Sequence, residues 1–483
     1  MSLNLAYNNA LTALDANQKA IAVHSDNVAN ASNVDYKKRT TVFNSNGTVQ
    51  TDNLNFGSGV QVANINREFN LVLETNLLNS QSQYGYSASY AYYLNNIENF
   101  ISPNGQNLIG DSMTELQSTL NSAMNNLDNS GSQIELYQAL EDLSLSINNQ
   151  YSEMLNIRNS LIDSSGNGEI KTNVSQINDS LNELQQINKD LAKAASKGVE
   201  NNELLDRRDA LLKDVSEAID IEVKYNDNGT VNVNMPATVS GTETNILLVD
   251  GSDPSIAAEQ LTLSTSTSAT SGLTVGVIQT SSGDTLDISD NKGSLNGMMQ
   301  ALEYTDENLL SLYSFAKTVT DEMNSVAYNA YAADGSTNNN MFKELGAVPP
   351  IPESENLVEF LLPDYQSLPL WDDPSKANSA DAAIIKQYQD ALKATVPGED
   401  CSVADYSNTY LTKLSLDVKA ANDQRDSAQN TNTMYQNAVY DYSSVDINKE
   451  MAELMNVQSS FEAAATLMST VNKMVNSAIN MVN

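Results

Sequence analysis

The sequence predicts a mainly α fold with β-rich inserts: a nested multi-domain architecture in which the terminal helices pair as a coiled-coil-like layer, followed by a central helical bundle and an outer β domain. Three observations predict it. Both chain ends carry apolar residues at alternating spacings of three and four, the seam of a helix that needs a partner helix. Between residues 67 and 219 long polar stretches run with few breakers, as in an extended helical bundle. At Ile219 the period drops to two, which marks strands.

The first segment, 1–42, is an N-terminal axial helix with the seam Leu3, Tyr7, Ala10, Leu14, Asn17, Ile21, His24 and Val28. Its other face carries Asn4, Asn8, Thr12, Asp15 and Lys19. Residues 43–66 are a turn-rich connector, with Gly47, Gly57 and Gly59 among short apolar runs. Residues 67–219 form the first part of the helical bundle. In the β-rich outer domain, 220–292, Ile219–Tyr225 and Thr230–Met235 alternate around Asn226-Asp-Asn-Gly229, a hairpin signal. Helix resumes over 293–332. Residues 333–404 are an insert holding most of the ten prolines, the one tryptophan, Trp371, and the one cysteine, Cys401. The nesting implies that such inserts project outward. Helix returns over 405–442, and 443–483 is the C-terminal axial helix. There Ile447, Met451, Leu454, Gln458, Phe461, Ala465 and Met468 step by four and three, and Val457, Ala464, Leu467, Val471 and Met474 form an adjacent stripe. A helix of roughly 35 residues spans about 50 Å, and Ser444–Asp446 can cap it.

Composition narrows the function. The net charge of -36 repels nucleic-acid phosphate and anionic lipid. The basic run Lys37-Lys38-Arg39 is too short to serve as a nucleic-acid patch. No stretch approaches the ~18 apolar residues of a membrane span. One cysteine permits no intrachain disulfide. The N-terminus lacks the basic and apolar regions of a signal peptide, so composition by itself reads as cytoplasmic.

Little in the chain reads as chemistry. A single histidine, His24, lies on the terminal seam, reads as packing, and argues against a histidine-based metal cluster. Cys401 has no local histidine to activate it. No phosphate-cradling glycine loop occurs. Asp287-Ile-Ser-Asp290-Asn-Lys-Gly293 resembles a calcium loop only loosely and reads as a turn. Glu203, Asp206 and Asp209 beside Arg207 and Arg208 read as a solvated ion-pair face. The expectation is therefore no enzyme, with no catalytic, cofactor or metal residues.

Specific motifs sharpen this. Asp26-Asn-Val-Ala-Asn30-Ala-Ser-Asn-Val-Asp-Tyr36 resembles the N-terminal signature of flagellar rod, hook and hook-associated axial proteins, with matches at Asn27, Val28, Ala29, Asn30 and Tyr36. Asn33, Val34 and Asp35 depart from the Thr, Pro and Gly usual there. The run from Val445 to Ala465 resembles that family's C-terminal signature at Glu450, Met451, Leu454, Gln458, Phe461, Ala463 and Ala465. Asn202-Glu-Leu-Leu-Asp206-Arg-Arg208-Asp209-Ala-Leu211, the block Gly293-Ser-Leu-Asn-Gly297 and Asp321-Glu-Met-Asn324 are similar to segments of its hook-associated FlgK branch, with Tyr328 where a histidine is usual.

The resemblance implies a structural subunit at the hook–filament junction, exported unfolded without a cleaved signal, which replaces the cytoplasmic reading with a secreted, flagellar one. It implies partners: further copies in a ring or helical lattice, hook protein below, a second junction protein or filament above, and an export chaperone on the C-terminal helix. The expected assembly residues are Leu3, Tyr7, Ala10, Leu14, Ile21, Asn27, Val28, Asn30 and Tyr36 at one end, and Ile447, Glu450, Met451, Leu454, Gln458, Phe461, Ala465, Met468 and Val471 at the other. The alternatives are another axial subunit, or an adhesin or enzyme module on the 333–404 insert.

Overall fold

The computed structural model describes residues 2–51, 54–126, 129–347, 350–353, 356–373 and 381–482. The chain opens with helix α1 (Ser2–Ala29), then strands β1 (Arg39–Ser45), β2 (Thr48–Thr51), β3 (Leu54–Gly57) and β4 (Val60–Arg67). Helices α2 (Leu71–Ile101), α3 (Leu108–Asn125), α4 (Ser130–Leu161), α5 (Glu169–Ala195) and α6 (Asn202–Ala218) follow. Strands β5 (Glu222–Tyr225), β6 (Val231–Val239), β7 (Thr242–Val249), β8 (Thr262–Thr267), β9 (Thr274–Gln279) and β10 (Thr285–Leu286) make the outer β region. Helices α7 (Ser294–Tyr328), α8 (Ala382–Ala391), α9 (Tyr406–Ser443) and α10 (Ile447–Val482) complete the chain.

The axial helix ends earlier than 42. α1 stops at Ala29, where Asn30 donates its amide to the Asp26 carbonyl and Asn33 accepts from the Asp35 N–H. Asn and Asp bond their own backbone in turns and so compete with helix. The segment 43–66 is not a turn-rich connector. β1 pairs antiparallel with β4, with a bulge between Val42 and Phe43, and β2 pairs with β3 beyond them. α10 starts after Ser444-Val445-Asp446, where the Asp446 carboxylate accepts from the backbone N–H of Asn448 and Lys449. That satisfies two of the donors a helix leaves free at its start.

α1 and α10 pack together, the end of one against the start of the other. The nested body is built on α2, which packs along α9, α7 and α6, with α3 against α4 and α5 against α6. Two glycines permit this closeness. A Cβ on Gly85 would sit 2.1 Å from the backbone oxygen of Glu217, and one on Gly297 would sit 2.6 Å from that of Tyr86. The β region forms two three-stranded antiparallel sheets, β5-β6-β7 and β10-β9-β8. Val223 pairs with Val233 across the Asn226–Gly229 turn.

The 333–404 segment does not project outward. Ile351, Leu357, Leu368, Leu370 and Trp371 are buried in the core of the helical body. Asn148 of α4 both donates to and accepts from the Val358 backbone, and Tyr151 donates to the Pro352 carbonyl. The apolar residues of this segment supply the drive, since α4 offers it a matching face. Pro349 and Pro374 lie outside the described residues.

Candidate functional site at the meeting of the chain ends

The two signature segments meet although more than 400 residues separate them. Asn27, fully buried on α1, donates to the Glu450 carboxylate at 3.0 Å and to the Arg39 carbonyl at 2.8 Å. Its oxygen accepts from the Tyr36 hydroxyl at 2.7 Å and from the Arg39 N–H at 3.0 Å. One amide thus ties the end of α1, the turn after it, the first strand and the start of α10. Alanine or leucine would leave these polar groups buried without partners.

Glu450 is itself fully buried. His24 Nδ1 donates to it at 2.6 Å, and the Lys38 ammonium lies 3.0 Å from its other oxygen. Burial alone would raise this carboxyl; the hydrogen bonds from Asn27 and His24 and the charge of Lys38 outweigh it and hold Glu450 below the usual glutamate range. Burial raises the Tyr36 phenol, so it stays a donor to Asn27. His24, Glu450 and Glu453 bring ligand-type atoms within 4.8 Å of one another. A single histidine with two carboxylates can therefore form a metal-like cluster, contrary to the sequence expectation. Its donors are already engaged, however: Nδ1 holds a proton for Glu450, and an ammonium neutralises the same carboxylate.

The Asp206–Asp209 region is the larger correction. Only its outer side is solvated, where Glu203 and Arg207 are exposed and Arg207 pairs with Glu183. Asp206, Arg208 and Asp209 are buried on α6. Arg67 pairs with both carboxylates, Arg39 with Asp206 at 3.3 Å and Arg208 with Asp209 at 2.7 Å. Lys37 pairs with Glu74 of α2 and lies 3.8 Å from Asp209. Burial pushes the Lys37 ammonium down to about 8, against the pull of Asp209. Burial raises Asp206, whereas at Asp209 the charges of Arg208, Arg67 and Lys37 overcome burial and lower it. The sequence offered one clue to this: the cations of 37–39 lie beside the signature. It could not show that their partners sit in α2, α6 and α10.

The expected assembly residues divide into two sets. Glu450, Leu454, Phe461, Met468 and Val471 of α10 turn toward α1 as its buried or half-buried face. Ile447, Met451, Gln458 and Ala465 are exposed along the edge of that face. On α1 the buried line is Ala10, Ala16, Ala20, Val23 and Asn27. It is rotated from the expected seam: Tyr7, Leu14, Ile21, Val28 and Asn30 are half-buried at its border, and Leu3 is exposed. Tyr36 is buried beside Asn27. The small residues let the helices approach, so the large ones are left outside. Leu3, Leu11, Ile447, Met451, Met455, Leu467, Met474 and Ile479 all remain exposed, 37–59% each. Exposed large apolar residues in this number on one helix pair mark an interaction surface.

Comparisons with known proteins match the helical body and the C-terminal end of the chain. The family described as flagellar hook-associated protein FlgK helical domain matches residues 94–342. The C-terminal family of flagellar basal body rod FlgEFG proteins matches 436–481. Flagellar hook-associated protein 1 of Bacillus subtilis is 22% identical over 98% of this chain and 97% of its own. The protein of the same name from Salmonella typhimurium is 25% identical over 69% of this chain and 58% of its own length, and that of Escherichia coli is 26% identical over 69% and 59%. A solved structure of the flagellar hook junction protein FlgK from Burkholderia pseudomallei aligns with TM-score 0.45 and 20% identity, over 56% of this chain and 46% of that one.

Proposed function

This chain belongs to the flagellar hook-associated FlgK family, and we propose that it acts as a structural subunit joining hook to filament, without enzymatic activity, through the outer face of its terminal helix pair. The observation that carries the reading is the uncovered apolar surface of α1 and α10 on helices whose inner faces are already satisfied by each other. Repeated head-to-tail contacts through such a face generate a ring or short tube. Ile447, Met451, Leu467 and Met474 are the residues whose burial would drive it, at roughly 1.5–3 kcal/mol for each large side chain fully buried. Hook protein on one side and a second junction protein or filament on the other are the partners. The same apolar face suits an export chaperone before assembly, since it is the surface most in need of cover. The protein works outside the cell, on the flagellum.

The adhesin or enzyme alternative loses its support, because the 333–404 segment is packed into the body. The match to rod-type C-termini covers only the end of α9 and the terminal helix, whereas the FlgK match covers residues 94–342 of the body. Deleting residues 445–483 is expected to leave a folded body, with Trp371 still buried, and to abolish incorporation into flagella. Normal incorporation of that truncated chain in a complementation assay would overturn the reading.

A further inference from the structure

The run Lys37-Lys38-Arg39 does nothing in the assembly surface, yet each of its side chains is drawn to a different part of the molecule. Lys37 pairs with Glu74 of α2 and faces Asp209 of α6. Lys38 pairs with Glu450 of α10. Arg39 pairs with Asp26 of α1 at 2.8 Å and with Asp206 of α6. The backbone joins in: the Lys38 N–H donates to the carbonyl of Ser443, the last residue of α9, at 2.8 Å, and the Lys38 carbonyl accepts from Glu68 at 2.9 Å. The Lys37, Lys38 and Arg39 side chains are at most 16% exposed. Aromatic rings cover two of them, with Lys37 5.0 Å from the Phe69 centroid and Arg39 4.8 Å from that of Tyr36.

We infer that Lys37-Lys38-Arg39 is a positioning joint that fixes the angle between the terminal helix pair and the helical body. Two segments connect these parts: 30–70, which carries strands β1–β4, and 444–446. Apolar packing at such a crossing would be tolerant of small rotations. Buried ion pairs are different: their net contribution to stability is small, but a displaced partner leaves an unpaired charge in a poorly solvating site. They therefore discriminate sharply among orientations. Three consecutive cations whose partners lie on α1, α2, α6 and α10 constrain rotation about more than one axis. The FlgK-type segment Asn202–Leu211 supplies two of the receiving carboxylates, Asp206 and Asp209, so the part of the sequence that resembles this branch is the socket of the joint.

The test uses the full chain in a Cys401→Ser background, with spin labels at Ser460→Cys on α10 and Ser427→Cys on α9, both exposed. One narrow distance distribution is expected. Lys38→Met and Arg39→Met should each broaden it by roughly twofold or more, as unpaired charges seek new geometries, while the Trp371-reported unfolding midpoint of the body stays in place. Lys38→Arg and the exposed-pair control Lys19→Met should leave it narrow. If Lys38→Met does not fold, Asp26→Asn decides, since Asp26 is half exposed and pairs only through Arg39's side of the joint. An unchanged distribution overturns the inference. So does broadening that comes with an equal fall in the body midpoint, which would make the triplet ordinary core support. The distance is read on the isolated chain, so its outcome is separate from that of the assembly reading.

Discussion

Glu450 shows how much one side chain can decide. It is fully buried, and its carboxylate gathers Asn27, His24 and Lys38. Because its folded pKa is lowered, the unfolded chain takes up a proton before the folded one does. The stabilisation is therefore present above the unfolded value of 4.5 and is lost as pH falls through the folded value. Acidification from pH 5 toward 3 should raise hydrogen exchange in the first turns of α10, and Glu450→Gln should remove that acid dependence while weakening the pair at neutral pH. Exchange that is indifferent to pH in the unaltered chain would contradict this. The sequence singled out Asn27, Tyr36 and Glu450 by resemblance alone. Their partners His24 and Lys38 read only as packing and as part of a basic run too short for nucleic acid, because a hydrogen bond between positions 426 apart leaves no trace in local spacing.

At the scale of elements, periodicity located the helices well and their buried faces less well. Alternating spacing placed the α1 seam on Leu3, Tyr7, Ala10, Leu14 and Ile21; of these the fold fully buries only Ala10, and it adds Ala16 and Ala20. The hydrophobic pattern reports which faces want cover; it does not say which cover comes from the same chain. Strands were legible where the period was two, as in Val231–Val239, whose inward residues Val231, Val233, Met235 and Ala237 are all buried. They were missed at β1–β4, where turn residues dominate the composition. Glycines in helices had a physical meaning too. Gly85 lets α6 reach α2, since any Cβ there would strike the Glu217 carbonyl. Gly85→Ala should lower stability by about 1–3 kcal/mol, the usual range for overpacking. Urea unfolding measures this, and a midpoint equal to the parent's would show that α6 moves away freely.

The whole molecule has two parts of unequal strength. The body holds one continuous apolar core running from Leu78 to Ala421, including Tyr151, Phe315, Phe342 and Trp371. The terminal pair buries mainly alanines and a few valines against each other. At roughly 25 cal/mol for each Å² of apolar surface removed from water, the small side chains contribute far less per turn. Helical circular dichroism should therefore fall in two steps with denaturant, the smaller one first, and the emission of Trp371, the single tryptophan, should change only in the second. A single coincident transition would show that the pair is as firmly held as the body. The insert was the least legible part of the chain. The nesting implied that it projects outward, but Leu357, Val358, Leu368 and Leu370 needed burial, and α4 and α7 supplied the surface.

The nesting has a consequence in time. Ser80 of α2 bonds Asn432 of α9 across 352 residues, and the ends close across more than 400. Closing loops of this length is entropically slow, and contacts of high sequence separation delay folding. A chain made from its N-terminus can complete neither the body nor the helix pair until its last tenth has been synthesised, so the order of its contacts holds closure back to the end of synthesis.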